Sequence, residues 1–538
     1  MYGLMGEHPL TLDLLARRAE EWFGHKEIRS AGRNGITTTT YSMWAERVRR
    51  VGGALDVLGV GGDSFVASLM WSTVEHAELY FGIPGSGRVL HTLNPRFTDA
   101  QLAFVIGEAG DEAVFVHDSL LDKLVGVLPA CPRVRRVIVV GDPPSTPTLP
   151  PNVEVHRYED VVAAAPPSST SVGDERRAAM LCHTGGTTGD PKGVLSSHRS
   201  LVLHAMAVTS AGGIAIAERD VVMPVVPLFH ANAVGFVHAA VGTGATLVLP
   251  GTDLSGKALA SLLEEQRVSV TCGVPTIWSA VVPEMRGRSV PALRTVISGA
   301  SAVPPSLSER FREVVGVPLT QIFGMTETSP LATIVGDLSV LAAADDPALV
   351  DARASVGVPV LGVEVRIVGE DGDVIADAES AGELQVRGPW IASGYLAGRS
   401  PESIAEDGWL RTGDIAMRGR DGLLRIVDRI KDVVKSGGEW ISSIALENLL
   451  MGHDTVAEAA VVAAPDERWG ERPVAFVVAA ADATPDAEEL RGFLGEHVPG
   501  WWVPERFEFV DTIPRTSVGK FSKKTLREAL LAADQATS

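Results

Sequence analysis

Between Leu181 and Val194 the chain reads LCHTGGTTGDPKGV. Gly185, Gly186 and Gly189 remove the Cβ atoms that would hold backbone N–H groups away from an anion. Thr184, Thr187 and Thr188 add hydroxyl donors and Lys192 adds a positive charge, a combination suited to wrapping phosphate. The segment is not a Walker A loop, because Lys192 follows Pro191 and precedes Gly193 rather than Ser or Thr. It is not the dinucleotide G-x-G-x-x-G fingerprint either. Composition alone carries the reading to phosphate binding and stops there.

Four further stretches follow: QIFGMTETSP (321–330), GWLRTGD (408–414), DRIKDVVKSGGEW (428–440) and PRTSVGK (514–520). Together with HTGGTTGDPKGV they resemble, in order, the signature motifs of the adenylate-forming superfamily: acyl-CoA synthetases, luciferases and stand-alone adenylation domains. LYFGIPGSGRVLHTLNPRF (79–97) is similar to the long- and medium-chain fatty acyl-CoA synthetase branch, so the resemblance covers nearly the whole chain.

The resemblance implies ATP-dependent joining of a small-molecule carboxylic acid to AMP, then transfer to coenzyme A. A carboxylate is a poor electrophile, and the mixed anhydride with AMP supplies a good leaving group. Bringing an anionic acid against ATP requires clustered cations and N–H donors; removing one such stabiliser typically costs ~10²–10³-fold in rate. By resemblance, Thr184, Gly185, Gly186, Thr187, Thr188, Gly189 and Lys192 line the β- and γ-phosphates, Thr326 lies beside the α-phosphate, and Glu327 holds Mg²⁺. Gln321, Ile322, Phe323, Gly324 and Met325, with Gly299, Ala300 and Ser301, fall to the nucleotide. Asp414 accepts from the ribose hydroxyls, Arg429 contacts the nucleotide, and Lys520 bridges the acid carboxylate and α-phosphate. The hinge matches Lys431. After rotation, Gly437, Gly438, Glu439 and Trp440 enter the pantetheine tunnel, with Lys435 near that path. His230, Val234, Gly299 and Gly324 fall to the acid pocket.

Two positions depart from the family. Gly185 stands at or near a position that is commonly Ser, which removes a hydroxyl contact but leaves backbone donors. Val234 stands where fatty acyl relatives usually carry Trp, freeing room for a bulkier acid. These departures motivate a rival reading, an adenylating enzyme with a different acid or acceptor: an aryl acid, a carrier protein, an amine, or a small anion such as nitrite. A third reading is a nucleotide-binding regulatory protein; retention of Lys520, Glu327 and Asp414 argues against it.

The elements that must position these residues alternate. DSFVASLM (63–70), EAVFVHD (112–118) and RRVIVVGD (135–142) read as buried strands; AQLAFVIGEAG (100–110) and SGKALASLLEEQ (255–266) read as helices. Alternation of this kind predicts parallel βαβ units and an α/β fold. Leu12, Leu15, Ala16, Ala19 and Phe23 recur at helical spacing behind Thr11, a predicted N-cap. GDPPSTPTLPPN (141–152) reads as a surface connection, and residues 355–430 as a β-rich subdomain. From 434 a compact α+β segment follows, with AEAAVVAAP and ERPVAFVVAA as strands and SIALENLLMG as a helix begun by Ser442 or Ser443. The expected division is an N-terminal adenylation domain over 1–428, a hinge over 429–433 and a small mobile C-terminal domain over 434–538.

A chain of 538 residues exceeds one hydrophobic core. Its 67 acidic against 47 basic residues give a formal charge of −20, which disfavours nucleic acid and anionic membrane as main partners. Cys131, Cys182 and Cys272 show neither metal-ligand spacing nor a disulfide framework, which suits a reducing cytoplasm. The N-terminal stretch lacks the pattern of a signal peptide, and no apolar run is long enough to span a membrane. Many members of the resembled family dimerise, so a homodimer is the assembly to test.

Overall fold

Phe65–Leu69, Ala113–His117 and Arg136–Val140 are strands, each almost wholly buried, as parallel strands covered on both faces must be. The computed structural model describes residues 3–143, 149–168, 171–184, 190–336, 352–481, 483–516 and 520–537. Two large sheets dominate. One has seven strands, in the order Glu154–Arg157, Arg136–Val140, Ala113–His117, Phe65–Leu69, Val89–Thr92, Ala178–Thr184 and Lys192–Ser197. All its pairings are parallel except the last. The other has nine strands and a parallel centre that includes Val270–Gly273, Thr295–Ser298 and Leu319–Gly324.

The predicted helices lie between these strands. Asp99–Ala109 starts on a capping box between Thr98 and Gln101 and stops at Gly110, whose φ of 71° is the left-handed cap that glycine adopts without strain. Gly256–Glu265 starts where Ser255 Oγ accepts from the Ala258 amide. The first helix, Leu12–Phe23, does follow Thr11, but the Thr11 hydroxyl donates to Asp13 instead of accepting from the helix N-terminus. A charged acceptor two residues away competes better for that hydroxyl than a backbone amide does.

The β-rich region is a four-stranded antiparallel sheet of Glu364–Val368, Ala381–Arg387, Leu410–Arg418 and Leu424–Arg429. The C-terminal domain is built on the hairpin Val456–Asp466/Gly470–Ala479, with Arg506–Phe509 added in parallel. Its period-2 alternation buries both faces: Ala459 and Val461 pack with Leu446 and Leu490, Ala460 and Val462 with Leu526 and Leu530. Ser442 caps the helix Ser443–Leu450, accepting from the Ala445 amide at 3.0 Å. All three cysteines are free and buried. Among the described residues no helix is long and apolar enough to cross a membrane.

Candidate active site

The strand Leu319–Gly324, paired on both sides within the nine-stranded sheet, passes into a short turn, Thr326–Thr328. Only glycine fits at 324, since a Cβ there would lie 1.6 Å from the Pro330 carbonyl oxygen. The turn leaves Glu327 buried. Its side chain accepts from the Tyr395 hydroxyl at 2.6 Å, and its carbonyl accepts from the Ala392 amide at 2.8 Å. Burial raises the Glu327 carboxyl above the usual range, opposed by Tyr395, Arg429 and Lys192.

Lys192 opens the edge strand Lys192–Ser197 and pairs across the ladder with Thr184. The glycine-rich segment therefore joins two antiparallel strand ends. Gly185, Gly186, Thr187, Thr188 and Gly189 themselves lie outside the described residues. Lys192 Nζ sits 5.1 Å from the centre of the Tyr395 ring, within cation–π range, so Tyr395 touches both the lysine and the carboxylate.

Asp414 and Arg429 are register partners on neighbouring strands, and Arg429 Nε donates to Asp414 Oδ1 at 2.8 Å. Asp414 is 4% exposed and its Oδ2 has no partner. A buried carboxylate oxygen left open in this way calls for a donor from a ligand. Lys520, contributed by the C-terminal domain, is brought to the same cluster. Its amine is depressed to about 8, first by burial and then by Arg429 and Lys431, against the pull of Asp414 and Glu327. His230 completes the neighbourhood: burial, Lys520 and Arg96 lower it to about 4, so its ring is neutral near pH 7.

Other expected residues sit differently. Gln321 Oε1 accepts from the Val303 amide at 2.7 Å, so it braces the loop that carries Gly299, Ala300 and Ser301. Ile322 and Phe323 belong to the main core, and Met325 packs against it; a Cβ at Gly299 would lie 3.0 Å from Ile322. Thr326 is buried. Val234 is the last non-glycine residue in a left-handed run from Ala231, with φ values of 44°, 49°, 50° and 56°, that continues into Gly235. For non-glycine residues that conformation costs roughly 1–2 kcal/mol each, so this segment is held under strain by its surroundings.

Lys435, Gly437, Gly438, Glu439 and Trp440 form a separate hairpin, Val434–Ser436 against Glu439–Ile441, turned by Gly437 and Gly438 at φ 62° and 90°. Lys435 is exposed, 3.8 Å from Glu370. Lys431 lies between this hairpin and the strand Leu424–Arg429; its carbonyl accepts from Arg527, which also pairs with Asp432 at 2.9 Å. The C-terminal helix, Lys523–Thr537, thus anchors the segment Lys431–Asp432.

Sequence reasoning missed Tyr395 and Ala392. The only signal was a lone tyrosine in GYLAGRS, a loop without periodicity.

Residues 15–396 match the family model described as AMP-binding enzyme, and residues 445–520 match AMP-binding enzyme C-terminal domain. The chain is 39% identical to a 3-methylmercaptopropionyl-CoA ligase of Ruegeria pomeroyi over 98% of both proteins. It is 40% identical to a long-chain-fatty-acid–CoA ligase of Thermus thermophilus, over 97% of this chain and 96% of that one. A benzoate CoA ligase from Burkholderia xenovorans, known by crystal structure, superposes with a TM-score of 0.82 at 26% identity, over 96% of this chain and 99% of that one. With its motifs, its sheets and its Lys520–Asp414–Arg429–Glu327 cluster, two buried carboxylates beside two half-buried cations, the chain belongs to the adenylate-forming, AMP-binding enzyme family.

Proposed function

We propose that this enzyme joins a carboxylic acid to AMP at the expense of ATP and passes the acyl group to coenzyme A, releasing pyrophosphate and AMP. The observation that carries the reading is the meeting of Lys520 with Arg429, Asp414 and Glu327, groups drawn from two domains. In this reading Asp414 Oδ2 accepts from the ribose, Arg429 fixes the Asp414 side chain through Oδ1, and Lys192 meets the phosphates. Lys520, as its ammonium form, draws the acid carboxylate and α-phosphate together and offsets the charge that grows as they join. His230 forms part of the acid pocket wall as a neutral ring.

Glu327 is one buried carboxylate, and among the described residues no group of three or more His, Cys, Asp or Glu could cage a metal. That donor set fits magnesium, which takes one protein carboxylate and draws its other ligands from phosphate and water. When bound, it would neutralise phosphate charge. Glu327 would hold it, and Tyr395 would orient Glu327.

The acceptor step rests on a division into 1–428, a hinge over 429–433 and 434–538. Rotation at Lys431 withdraws Lys520 and admits the Gly437–Trp440 hairpin and Lys435 to the thiol path. Ligation of aliphatic acids by two relatives supports an aliphatic substrate, and the three buried thiols fit a reducing cytoplasm. Val234 favours a second reading for the acid, a bulkier or aromatic one. Pyrophosphate release over acids of increasing size, with mass analysis of the product, tests both. Acyl-CoA formation supports the proposal; AMP release with every acid but no thioester refutes the acceptor assignment.

A further inference from the structure

Away from the nucleotide cluster, four titratable side chains form one buried row. Asp111 Oδ2 lies 2.8 Å from His91 Nδ1, His91 Nε2 lies 2.9 Å from His183 Nδ1, and His183 Nε2 lies 3.0 Å from Glu108 Oε2. Glu108 Oε1 then meets Arg399 Nε at 2.5 Å, and Arg399 Nη1 reaches Asp190 at 3.9 Å. His91 and Asp111 are fully buried and His183 nearly so. The fold builds the row locally. His91 and His183 stand on parallel neighbours, Val89–Thr92 and Ala178–Thr184. Glu108 is on the last turn of Asp99–Ala109, and Asp111 follows the Gly110 cap.

The protons can be counted. Three links need three hydrogens, and two neutral imidazoles supply two. The third must sit on a carboxyl or make one ring an imidazolium. Glu108 already faces the Arg399 guanidinium at 2.5 Å, and a hydrogen placed there would forfeit that ion pair. An imidazolium would leave two buried charges, with Asp111 ionised and its Oδ1 lacking any partner. A hydrogen on Asp111 leaves the deep part of the row uncharged and confines charge to the Glu108–Arg399 pair at its less buried end. Burial pushes in the same direction, raising Asp111 and lowering His183 to about 2.

We propose that Asp111 is a neutral carboxylic acid at the head of a one-way relay of hydrogen bonds, from Asp111 to His91 to His183 to Glu108. Acting through Arg399, this relay is a positioning device for the phosphate end of the nucleotide site. His91 and His183 each carry hydrogen on Nε2 and accept at Nδ1. His183 adjoins Thr184, and Asp190 stands two residues before Lys192, so the relay and Arg399 tie together both borders of the glycine-rich segment. Arg399 shares its turn with Tyr395, which donates to Glu327, and with Leu396. A Cβ at Gly193 would lie 3.0 Å from Leu396 and 3.1 Å from His183 Nε2, so glycine there lets turn and relay close on the strand. The positioning role rests on the proposed reading of this segment as the phosphate loop.

The test uses the full chain. With ¹⁵N-labelled histidine, both rings are expected as neutral Nε2–H tautomers at neutral pH, assigned by their loss in His91→Gln and His183→Gln. An infrared band of a protonated carboxylic acid is expected to vanish in Asp111→Asn. That amide can donate to His91 without charge, so ATP KM and Tm should stay near wild type, whereas Asp111→Ala should raise ATP KM. Arg399→Gln should raise ATP KM about tenfold with kcat and acid KM little changed, and Arg399→Lys should recover most of the loss. A doubly protonated or Nδ1–H ring, or an Asp111→Asn protein as impaired as Asp111→Ala, overturns the relay. An equal rise in acid and ATP KM for Arg399→Gln overturns the positioning role. Wild-type protein that fails to exchange pyrophosphate with ATP removes the functional reading instead, and the two spectra still decide the relay.

Discussion

Replacing Asp414 by Asn removes one charge and leaves the shape of the side chain intact. In the wild-type protein Oδ1 is engaged by Arg429 at 2.8 Å, while Oδ2 is buried with no partner. A hydrogen bond from a ribose hydroxyl to that charged acceptor contributes about 1.5–3 kcal/mol. At about 1.4 kcal/mol per tenfold, its loss corresponds to roughly a 10–150-fold rise in ATP KM. The assay is ATP–pyrophosphate exchange, run with ATP and with its 2′-deoxy and 3′-deoxy forms. If carboxylate and ribose touch, the two deletions are coupled: a deoxy analogue costs the wild type dearly and the variant little. A coupling of about 1 kcal/mol or more is expected for groups in contact. Strictly additive losses would refute the assignment of Oδ2 to the ribose, whatever the size of either loss.

Tyr395→Phe removes a 2.6 Å donor from Glu327, so the already raised carboxyl rises further. The acid limb of the pH–rate profile should move to higher pH and the KM for magnesium–ATP should increase about 5–100-fold; an unmoved acid limb counts against that role. Because Lys520 must be protonated and is depressed to about 8, kcat/KM for adenylate formation should fall as pH rises through about 8. The limb of kcat should lie higher, since bound phosphates favour the ammonium, and Lys520→Arg should abolish the fall in kcat/KM. Gly324→Ala would drive a methyl group into the Pro330 carbonyl at 1.6 Å, so this variant should be recovered in low soluble yield with a depressed Tm.

The βαβ alternation was legible because parallel strands covered on both faces must be continuous apolar runs, as EAVFVHD and RRVIVVGD are. The convergence of Asp414 and Lys520 on one cluster was foreshadowed by their motifs, where glycines and small polar residues fix the spacing. The residues that hold these groups in place were not. Tyr395 meets Glu327 across 68 positions of chain, and His91 meets His183 across 92, contacts that no local pattern encodes. Thr11 differs for a local reason: its type and position predict a cap, while the carboxylate two residues on takes its hydroxyl. Gln321 and Phe323 have structural partners besides their motif, a loop amide and the core, which the motif did not announce.

The central claim is that Lys520 serves acid activation and leaves before thioester formation. Its sharpest test is Lys520→Ala assayed separately in the two half-reactions: pyrophosphate exchange with ATP and acid, and CoA thioester formation from supplied acyl-adenylate. The account predicts loss of exchange by ~10²–10³-fold with thioester formation nearly unchanged. Equal slowing of both steps, or exchange at the wild-type rate, would contradict it.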